Sequence, residues 1–201
     1  MTDRCARSSP RGFSIFELLV ILALITLIAA WSVPALIPTI QSRSLTAAAD
    51  QFEQDMGRAR QVAMAEDVVV DVEFIRVVRN GERDPKFVGY AFWKWLSDGE
   101  RYPLGKTEWL ADGFVFGESH STLLRDGASE RETRVFSELE QTGEVVRFSI
   151  FPNGETSLPS RSDQDNWHVT IYRDSNRQAL PDNFVAFRIN QTNAHVISYQ
   201  P

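Results

Sequence analysis

Residues 11–31 read RGFSIFELLVILALITLIAAW and join a short basic arm to a long apolar run. From Phe13 to Val33 this run has about 21 residues and would extend about 31 Å as an α-helix, at 1.5 Å per residue. That length matches the hydrocarbon core of a bilayer, which is about 30 Å thick. The run therefore predicts a membrane-spanning helix over residues 13–33.

The charges of the N-terminal arm predict the orientation of that helix. Arg4, Arg7 and Arg11 stand against a single Asp3 ahead of the apolar run. Positively charged flanks tend to stay on the cytoplasmic side of the inner membrane. We therefore expect a single-pass protein with a cytoplasmic N-terminus and with the rest of the chain in the periplasm.

Glu17 is a charged residue close to the start of the apolar run. A charge at the centre of a membrane helix costs about 2.5–3.5 kcal/mol, and less near an interface, so a compensating partner is expected. One alternative is a plain membrane anchor in which Glu17 lies at the interface. Another is a secretory signal peptide, with Val33-Pro34-Ala35 as a loose cleavage site, although the run exceeds the usual 7–15 apolar residues of such peptides.

The segment RGFSIFELL at residues 11–19 resembles the class III leader of type IV pilins and type II secretion pseudopilins. The resemblance implies that prepilin peptidase, a membrane aspartic peptidase, cuts after Gly12 and that Phe13 becomes the N-methylated N-terminus. It also implies that Glu17 pairs with the N-terminal amine of a neighbouring subunit when a filament assembles. Such a pair would supply the compensation that a carboxylate needs in an apolar environment.

Residues 34–66 are predicted to continue the helix in amphipathic form. Pro34 and Pro38 each lack a backbone N–H donor and are expected to kink it; pilin-like proteins carry a helix-breaking proline near the position of Pro34. Farther along, apolar residues recur at steps of three and four and form one stripe. The stripe consists of Leu45, Ala48, Ala49, Phe52, Met56, Ala59 and Ala63. It predicts packing on a globular domain.

Residues 67–201 predict a β-rich periplasmic domain. β-Branched, aromatic or alternating runs bounded by turn residues predict its strands. These strands are expected at 67–78, 86–96, 113–116, 134–136, 145–151, 167–173, 183–189 and 195–199. Residues 117–133 are rich in Ser, Glu and Arg and are predicted to form a mobile loop. The expected fold is α+β, the pilin-like lollipop in which a long N-terminal helix packs on an antiparallel β-sheet.

Two internal segments narrow the resemblance to the GspH/FimT group of pilin-like proteins. They are GRARQVA at residues 57–63 and IFPNGET at residues 150–156. The resemblance implies a minor pseudopilin, a structural subunit of a type II secretion pseudopilus that supports protein export. The alternative is a FimT-like minor type IV pilin that acts in pilus assembly or DNA uptake.

The charge of the chain indicates which partners to expect. The net charge is −6, and removal of residues 1–12 takes away three arginines and one aspartate and leaves −8. Phosphate binding needs clustered Lys and Arg, but residues 190–201, where FimT-like proteins have a basic surface, contain neither. Nucleic acid is therefore not an expected partner. The expected partners are prepilin peptidase, other pseudopilins or pilins bound through the N-terminal helix, and the inner membrane.

Cysteine and histidine placement gives no sign of catalysis or of a metal site. Cys5 is the single cysteine and lies in the predicted leader, so the processed chain would have no disulfide. The histidines, at positions 120, 168 and 195, show no metal-ligand spacing. Neither a nucleophile elbow nor a phosphate-binding glycine loop is present in the sequence. We expect no enzymatic activity, no metal and no cofactor.

Two other groups of residues could bind a ligand. Asp163, Asp165 and Asn166 are spaced like part of a calcium loop, but the glycine and terminal glutamate of such loops are missing, so a solvated loop is expected. Four tryptophans, Trp93, Trp95, Trp109 and Trp167, could form a binding surface. Burial in the core or in subunit contacts is the more common role for such residues.

Overall fold

A computed structural model describes residues 14–79, 81–126, 130–160, 166–174 and 179–201, with only the backbone of residues 29–41 and 130. The chain divides into two compact units, residues 1–41 and residues 42–201. The first unit, where described, is helical.

The longest helix, α1, runs from Ile15 to Glu66. Ser14 caps its start, because the Phe16 backbone N–H donates to Ser14 Oγ at 3.3 Å and the Leu18 N–H donates to the Ser14 carbonyl at 3.1 Å. At the other end Asp67 adopts a left-handed backbone with φ of 55°, which terminates the helix. The helix extends through positions 34 and 38, where the proline kinks remain a prediction because those side chains lie outside the described residues.

The apolar stripe predicted for the second part of α1 is confirmed. Within it Ala48 is partly buried, and the other residues of the stripe are buried in the core. Phe52 lies at its centre and is fully buried. Its ring lies 4.9 Å from that of Phe187 and 5.1 Å from that of Tyr90 between centroids, both in edge-to-face geometry. Such contacts fix this part of α1 on one face of the sheet.

One antiparallel sheet accounts for most of the second unit. Its strands, in the described residues, are β1 Val70–Val77, β2 Lys86–Trp95, β3 Arg101–Pro103, β4 Glu108–Trp109, β5 Phe114–Phe116, β6 Glu130–Phe136, β7 Gln141–Ile150, β8 Trp167–Arg173, β9 Phe184–Ile189 and β10 Val196–Tyr199. The order across the sheet is β10-β9-β8-β5-β2-β1-β7-β6, with β3 and β4 also paired to β2. The architecture is thus α+β, as predicted.

The predicted strands agree with the observed ones, with shifts of a few residues at most ends. The strand predicted at 167–173 is observed with the same bounds as β8, whereas β3 and β4 were not predicted. Both are short, with three and two residues, and in the described part of the chain each pairs with β2 alone. Backbone pairing with a longer strand, rather than any local sequence pattern, creates them.

The prediction of a mobile loop at residues 117–133 is wrong for most of that segment. A 3₁₀ turn at Glu118–His120, a short helix α2 at Thr122–Arg125 and the start of β6 occupy it, while residues 127–129 lie outside the described chain. Leu123 and Leu124 are fully buried. The Thr170 backbone N–H of β8 donates to Ser121 Oγ at 2.9 Å. Two buried leucines and this bond hold the segment on β8.

Candidate functional site

The first candidate site is the assembly segment, defined here as residues 14–28 at the start of α1. Every one of these residues is exposed within the chain. The large apolar side chains among them are Ile15, Phe16, Leu18, Leu19, Val20, Ile21, Leu22, Leu24, Ile25, Leu27 and Ile28. Because successive helical residues point about 100° apart, residues 18–22 place apolar groups on all sides of the helix. A helix that is apolar all round is normally covered by protein or lipid.

The hydropathy of the described helices was compared with that of a membrane-spanning segment. Among the described residues, no helix is both long enough and apolar enough to cross a membrane. The membrane-spanning segment predicted at 13–33 extends into residues whose side chains are not described.

Among the predicted assembly residues, the structure describes the side chain of Glu17. It lies in the first turn of α1, where the positive end of the helix dipole favours a carboxylate. Among the described residues, none forms an ion pair with it. Gly12 and Phe13, the predicted cleavage and N-methylation positions, lie outside the described residues.

The second candidate site lies on the outer face of the sheet, the face opposite α1. Val70, Val72 and Phe74 of β1 enter the core with α1, so the alternating residues Asp71 and Glu73 point to the outer face. Both carboxylates are nonetheless buried, with 2% and 0% of their surface exposed. Three arginines from different strands cover them and complete what we call the ion cluster. Its members are Asp71, Glu73, Arg101, Arg134 and Arg147.

Glu73 is the centre of the ion cluster. Arg101 donates to its Oε1 at 2.5 Å, and Arg134 donates to both carboxylate oxygens, at 2.8 and 3.0 Å. Burial alone would raise the pKa of Glu73, but the hydrogen bonds and charges of Arg134 and Arg101 outweigh it and hold the pKa below its ordinary value. The hydrogen bond to Glu73 in turn raises the pKa of Arg134. Glu73 is therefore ionised at neutral pH.

Side chains from three strands contact Asp71. The Trp95 indole N–H donates to Oδ2 at 3.0 Å, and the Ser149 hydroxyl donates to Oδ1 at 2.7 Å. Arg101 and Arg147 lie 3.2 and 3.9 Å from Oδ2. The cluster thus fastens β1, β2, β3 and β7 together on a face that α1 does not cover.

A cleft of about 450 Å³ opens beside the ion cluster. Its lining combines aromatic, charged and hydroxyl side chains from two regions of the chain. They are Trp93, Arg101, Thr107, Trp109, Glu132, Arg134, Val135, Phe136, Ser137 and Glu138. A larger cavity of about 830 Å³ shares Trp109, Ser137 and Glu138 with it and extends toward Arg79.

Two glycines position the aromatic walls of the cleft. A Cβ on Gly89 would lie 2.5 Å from Cε3 of Trp109, and a Cβ on Gly143 would lie 2.9 Å from Cε2 of Phe136. Each ring therefore rests directly on the backbone of the sheet. The third aromatic wall, Trp93, has the Arg101 guanidinium 5.4 Å from its ring centroid, within cation–π range.

The four tryptophans considered as a possible binding surface have three different placements. Trp167 is buried and its indole N–H donates to the Pro159 carbonyl at 2.8 Å, which is a core role. Trp93 and Trp109 line the cleft, while Trp95 bonds to Asp71. Asp163 and Asp165 of the partial calcium loop lie outside the described residues, and no group of metal-ligating side chains occurs in the described part.

Comparison with known proteins gives one match. No protein-family model matches the chain, and no curated protein does. Among solved structures, the chain is similar to the minor pseudopilin EpsH from the Type 2 Secretion System of Vibrio cholerae. The two are 11% identical over 79% of this chain and 98% of that chain, with a TM-score of 0.44.

Proposed function

We propose that this chain is a minor pseudopilin, a structural subunit of a type II secretion pseudopilus that supports protein export. Prepilin peptidase would cleave it after Gly12 and N-methylate Phe13. The subunit would then assemble through its N-terminal helix. The observation that carries the proposal is the assembly segment, a helix with apolar groups on all sides and a single carboxylate, Glu17, in its first turn.

The exposed apolar groups of the assembly segment suit both environments that the subunit would meet, first the membrane and then the filament. Before assembly, lipid would cover them, with the chain as a single-pass inner-membrane protein whose N-terminus is cytoplasmic and whose globular domain is periplasmic. In the pseudopilus, equivalent helices of other subunits would cover them. Both environments are apolar, so the same residue pattern suits each.

Glu17 gives the assembly step its charge contact. Cleavage at Gly12 would create an amine on Phe13, about one helical turn before Glu17. An amine and a carboxylate 4 Å apart attract each other by about 4 kcal/mol at an effective dielectric constant of 20. A neighbouring subunit's amine would therefore offset much of the cost of placing Glu17 among apolar side chains.

The second unit supports a structural rather than an enzymatic role. Its described core consists of residues from Leu45 onward, so the unit contains its own hydrophobic core. The buried charged groups on its outer face, Asp71 and Glu73, are bonded to arginines and to Trp95 and Ser149. Such bonding fixes strands together and, among the described residues of this face, leaves no free buried acid or base for catalysis.

The basic residues of the second unit argue against the FimT-like alternative of DNA uptake. Many of those described contact carboxylates: Arg76, Arg79, Lys86, Lys94, Arg101, Arg131, Arg134 and Arg147. A phosphate backbone would have to displace those contacts, and the net charge of −6 opposes it further. DNA binding that weakens steeply with salt, measured by a shift assay at two salt concentrations, would favour the alternative.

The decisive experiment follows Glu17→Ala through processing and assembly in cells that carry prepilin peptidase and a type II secretion system. We expect mass spectrometry to find a normal mature N-terminus with N-methyl-Phe13. Incorporation into sheared filaments should fall about tenfold or more, since the amine would lose its partner. Glu100→Ala removes an exposed carboxylate from the second unit and should assemble normally.

Two outcomes would contradict the proposal. Normal assembly of Glu17→Ala would show that the charge contact is not needed for assembly. Normal processing of Gly12→Val would show that residues 1–12 are not the leader. We expect Gly12→Val to accumulate as uncleaved precursor in the membrane.

A further inference from the structure

The two edges of the described sheet differ in charge. One edge is β6, whose sequence ERETRVF at residues 130–136 includes four charged residues. The other edge is β10, which lies within residues 190–201, and these contain no Asp, Glu, Lys or Arg. Edge strands usually carry charges or prolines that prevent pairing with a further strand. β10 itself, Val196–Tyr199, has neither.

The backbone of β10 offers hydrogen-bonding groups on its open side, the side away from β9. Near the turn that joins the two strands, the Asn190 N–H donates to the His195 carbonyl at 2.9 Å. Along an antiparallel pair, every second residue bonds to the partner strand. Counted from His195, the N–H and C=O groups of Val196 and Ser198 therefore point to the open side. Among the described residues, no strand pairs with β10 there.

The side chains of β10 leave its open side accessible. Val196 is buried in the core that α1 shares, so the alternating residues Ile197 and Tyr199 lie on the outer face. There 54% and 62% of their surface is exposed. Ser198 points toward the α1 face and is exposed as well. A strand laid along this edge would therefore complete backbone bonds and cover apolar surface together.

The charges around this edge favour an uncharged strand. A strand with charged side chains would lose water there without gaining an opposite charge from β10. β9 carries one charged residue, Arg188, opposite Ile197. If two β10 strands paired, the two copies of Arg188 would lie three strand spacings apart, about 14 Å. That exceeds the screening length of about 8 Å at physiological ionic strength. β10 is itself an uncharged strand, so a second copy satisfies this requirement.

We propose that the open edge of β10 pairs with β10 of a second copy of this chain, so that two sheets join across a two-fold axis. With the axis at Ile197, Val196 of each copy would lie opposite Ser198 of the other. Each of these two pairs would exchange both N–H···O=C bonds, as hydrogen-bonded antiparallel pairs do. Ile197 would lie opposite its own copy and cover it. The contact lies wholly in the second unit and does not depend on the proposed filament role.

The test is disulfide trapping of the full chain in a mild detergent, because so small an interface is expected to be weak. The background is Cys5→Ser, which removes the single natural cysteine. Ile197→Cys would bring two Cα atoms to about 4.5–5.5 Å, a separation that a disulfide spans. After mild oxidation, we expect most of this variant to run as a dimer on a non-reducing gel. The matched control, Val135→Cys on the β6 edge, is 71% exposed and should remain mostly monomeric.

Substitutions at Ser198 test the backbone bonds. Ser198→Pro removes an N–H that points to the open side, a position where an edge strand tolerates proline, so the urea midpoint should change little. By symmetry two intermolecular bonds are lost, and trapping through Ile197→Cys should fall about tenfold or more. Ser198→Ala retains the N–H and should trap normally. Ser198→Lys keeps the backbone intact but brings two like charges together at the contact, so it should also reduce trapping.

Four outcomes would overturn the proposal. Equal trapping of Ile197→Cys and Val135→Cys would show random collision, or association through residues 14–28. Trapping that neither Ser198→Pro nor Ser198→Lys reduces would exclude strand pairing. A mixed disulfide between Ile197→Cys and Val135→Cys chains, in preference to either like pair, would show that β10 pairs with β6 of the next copy. Absence of any Ile197→Cys dimer would show that a second copy does not occupy this edge.

Discussion

Replacing Glu73 by glutamine should destabilise the second unit by about 3 kcal/mol. Glu73 is fully buried, with three bonds of 2.5–3.0 Å from Arg101 and Arg134. Removing one partner of a buried ion pair costs about 3–5 kcal/mol, because the other charge is left uncompensated. Here the arginine side chains keep 20% and 25% of their surface exposed. Water can therefore solvate them in part, which places the cost at the lower end of that range.

The measurement is urea unfolding of the full chain, followed by tryptophan fluorescence, in a mild detergent because residues 14–28 expose many apolar groups. With a denaturant slope of about 1–3 kcal/mol per M, the Glu73→Gln midpoint should fall by about 1–3 M. The matched control is Glu66→Gln, since Glu66 also pairs with a cation, Lys94 at 2.8 Å, but is 46% exposed. Exposed pairs contribute at most about 1 kcal/mol.

The comparison of those two variants decides whether burial gives the ion cluster its strength. If Glu73→Gln unfolds at the same urea concentration as Glu66→Gln, the ion cluster adds no more than a surface pair and the reasoning fails.

Three further predictions concern the second unit. Gly89→Ala should destabilise it by about 1–3 kcal/mol, because the new Cβ would lie 2.5 Å from Trp109 Cε3. The control Gly57→Ala adds a Cβ to a helical site with nothing within 4 Å and should stabilise the unit by about 0.5–1 kcal/mol. In urea unfolding, the midpoint should therefore fall for Gly89→Ala and rise for Gly57→Ala. Phe52→Ala should lower the free energy of unfolding by about 3–5 kcal/mol, measured in the same way. A decrease below about 1 kcal/mol would contradict the central position of that ring in the core. Because the folded pKa of Glu73 lies below its ordinary value of 4.5, its stabilisation is complete above that value and is lost as the pH falls toward the folded pKa. Lowering the pH should therefore reduce the free energy of unfolding of the natural chain more than that of Glu73→Gln. An equal decrease in the two proteins would contradict this prediction.

The helix and most of the sheet could be predicted because their signals are local. The stripe from Leu45 to Ala63 follows the helical period, and the run at residues 167–173 is bounded by polar turns, so each element carries its own evidence. The segment 117–133 was misjudged because its composition is polar. Only the folded chain shows that Leu123 and Leu124 are buried against β8.

The ion cluster could not be predicted for a different reason. In the sequence, Asp71 and Glu73 are the polar residues of an alternating strand, a pattern that normally indicates a solvated face. Their partners Arg101, Arg134 and Arg147 lie on other strands, and no spacing relates them to β1. Buried charge on that face depends on which strands become neighbours, and that is a property of the sheet order.

Glu17 and Glu73 face the same physical requirement. A carboxylate among apolar groups needs a cationic or hydrogen-bonding partner, whatever the fold around it. Glu73 has its partners within the chain, at 2.5–3.0 Å. Glu17 lies in a helical segment whose side chains are exposed and apolar, and no described residue forms an ion pair with it. If lipid or other helices cover that segment, the partner of Glu17 must come from outside the described chain, and an amine on the neighbouring subunit is the group that the proposed cleavage at Gly12 would create.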